Sequence, residues 1–163
     1  MARIVAAILA VYSFFLVQAS LPRLPARIPI HFNMAGEPNG WGSPRTLWLL
    51  LAFQVLLAAV MLSVSYWARR FPAAVHLGTR NLSDFTPEQR ERVWPLLDQL
   101  AGWMGVATSL FFVYLIRESI RAAESPSPRF HSGWVPLLFA GGMAGLAIYF
   151  VSRINREARL PRP

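Results

Sequence analysis

Charged residues fall in clusters along this chain, and four uncharged stretches run between the clusters. Ile4 to Pro22 has 19 residues, Thr46 to Ala68 has 23, Gln99 to Ile116 has 18, and Phe130 to Ser152 has 23. A helix needs roughly 20 apolar residues to cross the bilayer hydrocarbon, and ionised side chains are disfavoured there. All four stretches fit. Lipid offers no water to unpaired backbone groups, so each stretch predicts a helix. The spans fall at 4–21, 46–68, 99–116 and 134–152, with Trp48, Trp67 and Trp134 placed as interface aromatics. The expected fold class is all-α: one polytopic membrane domain, 1–163, with four transmembrane helices. A first loop, 22–45, and a second, 69–98, join them.

The first span has a second reading. Arg3, the apolar run from Ile4 to Val17, and Val17-Gln18-Ala19 resemble a secretory signal with a small-residue cleavage site. Cleavage would leave three spans.

Arginine in short loops sets the expected orientation. The N-terminus, second loop and tail hold Arg3, Arg69, Arg70, Arg80, Arg90, Arg92, Arg153, Arg156, Arg159 and Arg162, ten in all. The first and third loops hold six: Arg23, Arg27, Arg45, Arg117, Arg121 and Arg129. Both termini are predicted inside, and the first and third loops outside. In the second loop, Thr86-Pro87-Glu88-Gln89 reads as an N-cap, a proline at the first helical position and a capping-box glutamine. Val93, Trp94, Leu96, Leu97 and Leu100 form an apolar face. The expected element is a surface helix that turns into the third span near Pro95, with Arg90 and Arg92 at anionic headgroups. A solvated connector is the competing expectation. Ser125-Pro126-Ser127-Pro128 reads as a short stiff loop.

The first loop has the most pattern. Pro22, Pro25 and Pro29 favour extended backbone. From Ile28 to Asn33 the residues alternate, with Ile28, Ile30 and Phe32 on one face and Pro29, His31 and Asn33 on the other. Turn formers crowd Gly36 to Ser43, and Asn39-Gly40 is a tight-turn signal. The expectation is a short, extended, Pro/Gly-rich extracytoplasmic cap with Trp41 at the interface.

Composition narrows the function classes. The chain is 55% hydrophobic and only 15% charged, against about 25% charge in a soluble domain. Intrinsic disorder is excluded. The absence of cysteine rules out thiolate catalysis and cysteine-ligated metal centres. A net charge of +8 suits nucleic acid only on a basic soluble face. Here the arginines flank apolar runs, so no nucleic-acid partner is expected. A phosphate-cradling P-loop needs a lysine, and the chain has none.

The stretch Leu24 to Ser43, LPARIPIHFNMAGEPNGWGS, resembles the signature of the domain of unknown function 1648 family. That domain also forms the N-terminal part of the SdpI-like immunity proteins, directly after a first transmembrane helix. Asn81-Leu82 and Glu88 to Pro95 resemble the segment before the third helix of its short four-helix members. The resemblance implies a bacterial inner-membrane protein of the immunity or regulatory kind, which meets a membrane-active peptide and blocks or senses it. It points to the segment from Pro29 to Gly42 as the recognition surface. His31, Asn33 and Glu37 would give polar contacts and Phe32 and Trp41 apolar ones, on a frame of Gly36, Pro38, Gly40 and Gly42. Arg90 and Arg92 would dock a cytoplasmic regulator.

Other readings of these residues stay open. His31, Asn33 and Glu37 suit internal hydrogen bonding, partner recognition or a metal, although one histidine with one carboxylate is short of the three or four ligands of a stable site. No metal or cofactor is expected. His76 and His131 read as ordinary surface histidines, and no nucleophile-elbow or HExxH spacing occurs, so an enzyme is not expected. No span carries a mid-membrane charge of the kind transporters use. Gln54 is the one strongly polar mid-span residue and is expected to bridge helices. Gly141 and Gly145 form a GxxxG, and Ala101 and Gly105 a small-xxx-small pair. Both patterns permit close helix approach, inside the bundle or in a dimer. The competing functional expectation is an accessory subunit of a membrane complex.

Overall fold

The computed structural model describes residues 1–33, 35–77, 80–130 and 133–159; of residues 80, 158 and 159 only the backbone is described. His131 and Arg162 therefore lie outside the described residues, as do the side chains of Arg80 and Arg159.

Four long helices account for most of the chain: α1 (Ala2–Ser20), α2 (Leu47–Arg70), α3 (Pro87–Glu124) and α4 (Val135–Arg159). Each is long and apolar enough to cross a membrane. Two short antiparallel pairs fill the first two connections. β1 (Ile28–Phe32) pairs with β2 (Pro38–Gly42), and β3 (His76–Leu77) pairs with β4 (Arg80–Asn81).

The third helix corrects the expected boundaries. A charge-free window places a span at 99–116, but α3 starts at Pro87 and runs unbroken to Glu124. Its 38 residues give a length of about 57 Å, well beyond a hydrocarbon core of about 30 Å. The surface helix and the third span are one element. Glu88, Arg90, Glu91, Arg92 and Asp98 interrupt the apolar pattern without interrupting the helix. Pro95 is tolerated because the bond it removes belongs to Glu91, and both residues are exposed, so water can reach the orphaned carbonyl. The capping box does start the helix. Thr86 Oγ1 accepts from Gln89 N–H at 3.3 Å, and Gln89 Oε1 accepts from Thr86 N–H at 2.9 Å. At the far end α3 absorbs residues 117–124 of the expected third loop, leaving a short α3–α4 connector after Glu124.

α3 is the hub and packs against each of the other three helices. Two apolar clusters close the ends of the bundle. Near β1, Val17, Leu47, Leu51, Ile116 and Ile120 surround Ile28. At the other end Ala68, Leu77, Leu82, Phe85, Val93, Leu96, Leu97, Phe150 and Ile154 pack together, with Trp94 and Leu100 against them. The apolar face read from 93 to 100 therefore meets protein. Arg90 and Arg92 are half-buried there, each with an enclosed Nε that makes no hydrogen bond.

Between these clusters the interior is made of small and weakly polar residues. α2 buries Leu47, Leu51, Gln54, Ala58, Ser65 and Ala68, and α1 buries Ala6, Ser13, Val17 and Ser20. The large apolar side chains face outward instead, among them Ile4, Ile8, Phe15, Leu49, Phe53, Leu56, Leu137 and Ile148. Gln54 is fully enclosed, but neither its Oε1 nor its Nε2 finds a partner. The expected helix-bridging bond is not made.

Small residues let α3 approach its neighbours. A Cβ on Gly105 would stand 3.4 Å from Leu62 of α2, and one on Gly102 would stand 2.8 Å from Ala2 of α1. Gly141 and Gly145 behave otherwise. Among the described residues nothing lies within 4 Å of a Cβ at either position, so neither glycine marks a close approach of the kind Gly102 and Gly105 make. Gly105→Leu should therefore lower the unfolding temperature in detergent by an amount equivalent to about 1–3 kcal/mol of overpacking. Gly145→Leu should leave the temperature unchanged. Equal effects of the two would contradict this packing.

Candidate functional site

The site that brings together the most of the expected recognition residues lies at the end of the bundle that carries β1 and β2. Its construction starts with the exit from α1, where Ser20 Oγ donates to Leu16 C=O at 2.8 Å. A short turn, Leu21–Arg23, leads to Leu24, and β1 then inserts Ile28, fully buried, among α1, α2 and α3. Removing that side chain from water is worth about 2 kcal/mol and anchors the strand. After β2, the Oγ of Ser43 accepts from Arg45 N–H at 3.3 Å, and Thr46 Oγ1 donates to Ser43 C=O at 2.7 Å, which turns the chain into α2.

The strict alternation expected from 28 to 33 does not form. Ile28 and Pro29 are both buried, while Ile30 and His31 are both exposed. The ladder is irregular on both sides of His31, and Pro29 has no N–H to give it. An extra residue in one strand re-aims the side chains that follow. His31 consequently leaves the company expected of it: its Nδ1 meets Asn39 Oδ1 across the hairpin.

The turn also sits elsewhere than expected. Asn39 and Gly40 lie within β2, and the reversal occurs between Asn33 and Glu37. Asn33 organises it. Its Oδ1 accepts from Ala35 N–H at 3.0 Å and from Glu37 N–H at 2.9 Å, and its Nδ2 donates to Glu37 Oε2 at 3.4 Å. Asn33 and Gly36 close the turn through the backbone at 2.9 Å. Asparagine competes for local backbone bonds better than most residues, so it decides the position. Gly40 instead permits close strand pairing, since a Cβ there would stand 2.9 Å from that of His31.

The turn is latched to the α3–α4 connector. The backbone of Gly36 has φ +76°, and its carbonyl accepts from Phe130 N–H at 2.8 Å. A Cβ at this position would collide with the Phe130 carbonyl oxygen, so only glycine satisfies both the dihedral and the approach. Arg129 Nη2 reaches Glu37 Oε1 at 3.3 Å, an exposed pair worth under about 1 kcal/mol. The Phe32 ring packs on Phe130 with centroids 5.2 Å apart, and Phe130 meets Tyr114 of α3 at 5.9 Å.

Beneath the hairpin lies a cavity of about 460 Å³. Its polar lining comes from His31, Asn33 and Ser119, and its apolar lining from Ile30, Phe32, Leu50, Leu115, Phe130 and Pro136. Four of the expected recognition residues, His31, Phe32, Asn33 and Gly36, thus share one wall. Glu37 supports that wall through Asn33 and Arg129. Trp41 is exposed opposite Pro29 in the strand pairing, and Pro38 and Gly42 are half-buried. Leu50, Leu115, Ser119, Arg129 and Phe130 went unmarked in the sequence. Arg129 is 92 residues from its partner Glu37, and no local pattern signals such a pair.

If the latch holds the hairpin, Gly36→Ala should release it. Amide exchange over residues 28–42 should then accelerate about fivefold or more, as expected for strain of roughly 1–3 kcal/mol, while exchange in α2 and α3 stays slow. Unchanged exchange in the hairpin would contradict the latch.

No curated protein and no solved structure matches the chain significantly. Residues 8–55 match the family described as Domain of unknown function (DUF1648). The matched segment takes in the second half of α1, the whole hairpin and the start of α2. The motif resemblance at Leu24 to Ser43 lies wholly inside it, so residues 8–55 are similar to the domain of unknown function 1648.

Proposed function

We propose that this chain is a non-enzymatic, multi-pass membrane protein whose hairpin receives a membrane-active peptide and blocks or senses it. The observation that carries the reading is the amphipathic cavity under the hairpin. A membrane-active peptide presents apolar side chains together with backbone polar groups. The cavity offers Leu50, Leu115 and Phe130 to the former, and His31, Asn33 and Ser119 to the latter. Large exposed apolar groups, Ile30 and Trp41, stand on the same hairpin, where aromatic and aliphatic anchors carry most binding energy. The resemblance to the N-terminal part of SdpI-like immunity proteins supports the same reading. So does the excess of arginine in the N-terminus, second loop and tail, which favours both termini in the cytoplasm and the hairpin outside. The membrane is then the bacterial inner membrane, and the hairpin is its extracytoplasmic cap. Arg90 and Arg92 lie at the inner end, where a cytoplasmic regulator would dock.

A second reading, an accessory subunit of a membrane complex, is favoured by α4. It is the least covered of the four helices, and Gly141 and Gly145 face outward from it.

Survival under challenge separates the two. Cells lacking the chain are exposed to membrane-active peptides from sibling cultures and complemented with wild type or with an Ile30→Ser/Trp41→Ala variant. These two side chains hold neither the turn nor the latch. The first reading expects protection by wild type and a loss of about tenfold or more with the variant, as for removal of hot-spot anchors, at equal protein level. Full protection by the variant would remove the hairpin as the site. Equal survival with and without the chain would favour the accessory subunit.

A further inference from the structure

Two cavities share a wall at the hairpin end of the bundle. The larger, about 460 Å³, lies under the hairpin against α3 and the start of α4. The smaller, about 240 Å³, lies between β1 and α2. Ile30, Leu50 and Ser119 line both. They come from β1, α2 and α3 in turn, so the cavities meet between the hairpin and these two helices.

The smaller cavity leads outward. Leu49 and Phe53 form part of its wall, and both are more than half exposed, among the large apolar side chains that α2 turns away from the bundle. They stand four residues apart on one side of the helix. Phe53 is one turn, about 6 Å, further from the hairpin than Leu49. An apolar track therefore runs from the shared wall along the outside of α2, a helix long and apolar enough to cross a membrane.

The larger cavity holds uncharged hydrogen-bonding groups. His31 uses Nδ1 on Asn39, which leaves its Nε2 without a bond among the described residues. The hydroxyl of Ser119, on the shared wall, makes none among the described residues either. Asn33, by contrast, spends both amide atoms on the turn. Among the described residues no arginine, aspartate or glutamate lines either cavity.

We propose that the two cavities form one binding site for an uncharged acylglycerol of the membrane. Its hydroxyl-bearing head lies at Ser119 and His31, and its acyl chain passes beneath Ile30 and along Leu49 and Phe53. Volumes of this order suit a ligand of small-molecule size. Charge decides the head. A phosphate or carboxylate would lose its water with no cation in the wall to replace it, and an ammonium would find no carboxylate. Glycerol hydroxyls and an ester carbonyl need only neutral donors and acceptors, which a hydroxyl and an imidazole nitrogen supply. Direction decides the tail, because the track opens to the side of the bundle, where acyl chains lie. This site requires the helices to lie in a membrane and requires no peptide at the hairpin.

Photolabelling of the full chain in a non-ionic detergent tests it, with a monoacylglycerol that carries a mid-chain diazirine as the probe. On wild type the label should concentrate on residues 28–32 and 47–53 in preference to α4, the least covered helix. Excess unlabelled monoacylglycerol should suppress it, and the fatty-acid anion of the same chain length should not. Ser119→Phe, which fills the shared wall, should abolish labelling of residues 47–53. Ser119→Ala, which keeps the packing, should weaken binding about fivefold, as for one neutral hydrogen bond. Equal labelling of α2 and α4 would overturn the site. Equal suppression by the fatty-acid anion would overturn the uncharged head and the proposal with it. Unchanged labelling in either Ser119 variant would do the same. The labelling is read without any peptide, so it can fail where the survival test succeeds, and the reverse.

Discussion

Between the two apolar clusters α1, α2 and α3 turn small and weakly polar residues inward, all four helices carry large apolar residues outward, and the rest of the structure depends on that inversion. In water, an exterior built from Ile8, Phe15, Leu56, Leu137 and Ile148 would hold far more exposed apolar surface than a monomer tolerates. In lipid the same exterior carries no penalty. The helices are held by close packing instead of by burial from water. This explains why α3 is the hub. Its Gly102 and Gly105 allow α1 and α2 to approach, and its two ends lie in the two apolar clusters that close the bundle.

A bundle held by packing leaves its connections to be fixed by other means, and the first connection shows how. Ile28 is driven into the apolar cluster of α1, α2 and α3, Asn33 sets the turn, and Gly36 lets the turn lie against Phe130. The hairpin is thereby tied to the start of the chain through Ile28 and to the α3–α4 connector through Phe130. The cavity between them is lined by residues of α2, α3, α4 and the hairpin.

Much of this was legible in the residues, and the failures have physical causes. The four helices follow from charge spacing, because ionised groups are costly inside a bilayer. The start of α3 follows from Thr86 and Gln89, because capping is local. The extent of α3 does not follow, since a helix continues past the membrane wherever charged residues can be solvated. The Asn39-Gly40 signal does not set the turn, because Asn33 offers a stronger local hydrogen-bonding centre. The alternation from Ile28 to Asn33 failed because the ladder breaks around His31. The latch was invisible for another reason: Arg129 and Phe130 act on residues more than 90 positions earlier, and only the fold brings them together. Gly141 and Gly145 carry a packing pattern whose partner is not within the described residues of this chain.

The central proposal is that the chain crosses the membrane with the hairpin outside and the α2–α3 connection inside. The lack of cysteine allows a direct test. Ala26→Cys, beside the hairpin, and Ala73→Cys, after α2, are both exposed and bear no packing load. A membrane-impermeant thiol reagent applied to intact cells should label Ala26→Cys at once and Ala73→Cys only after permeabilisation. Labelling of both in intact cells, or of Ala73→Cys alone, would contradict the account.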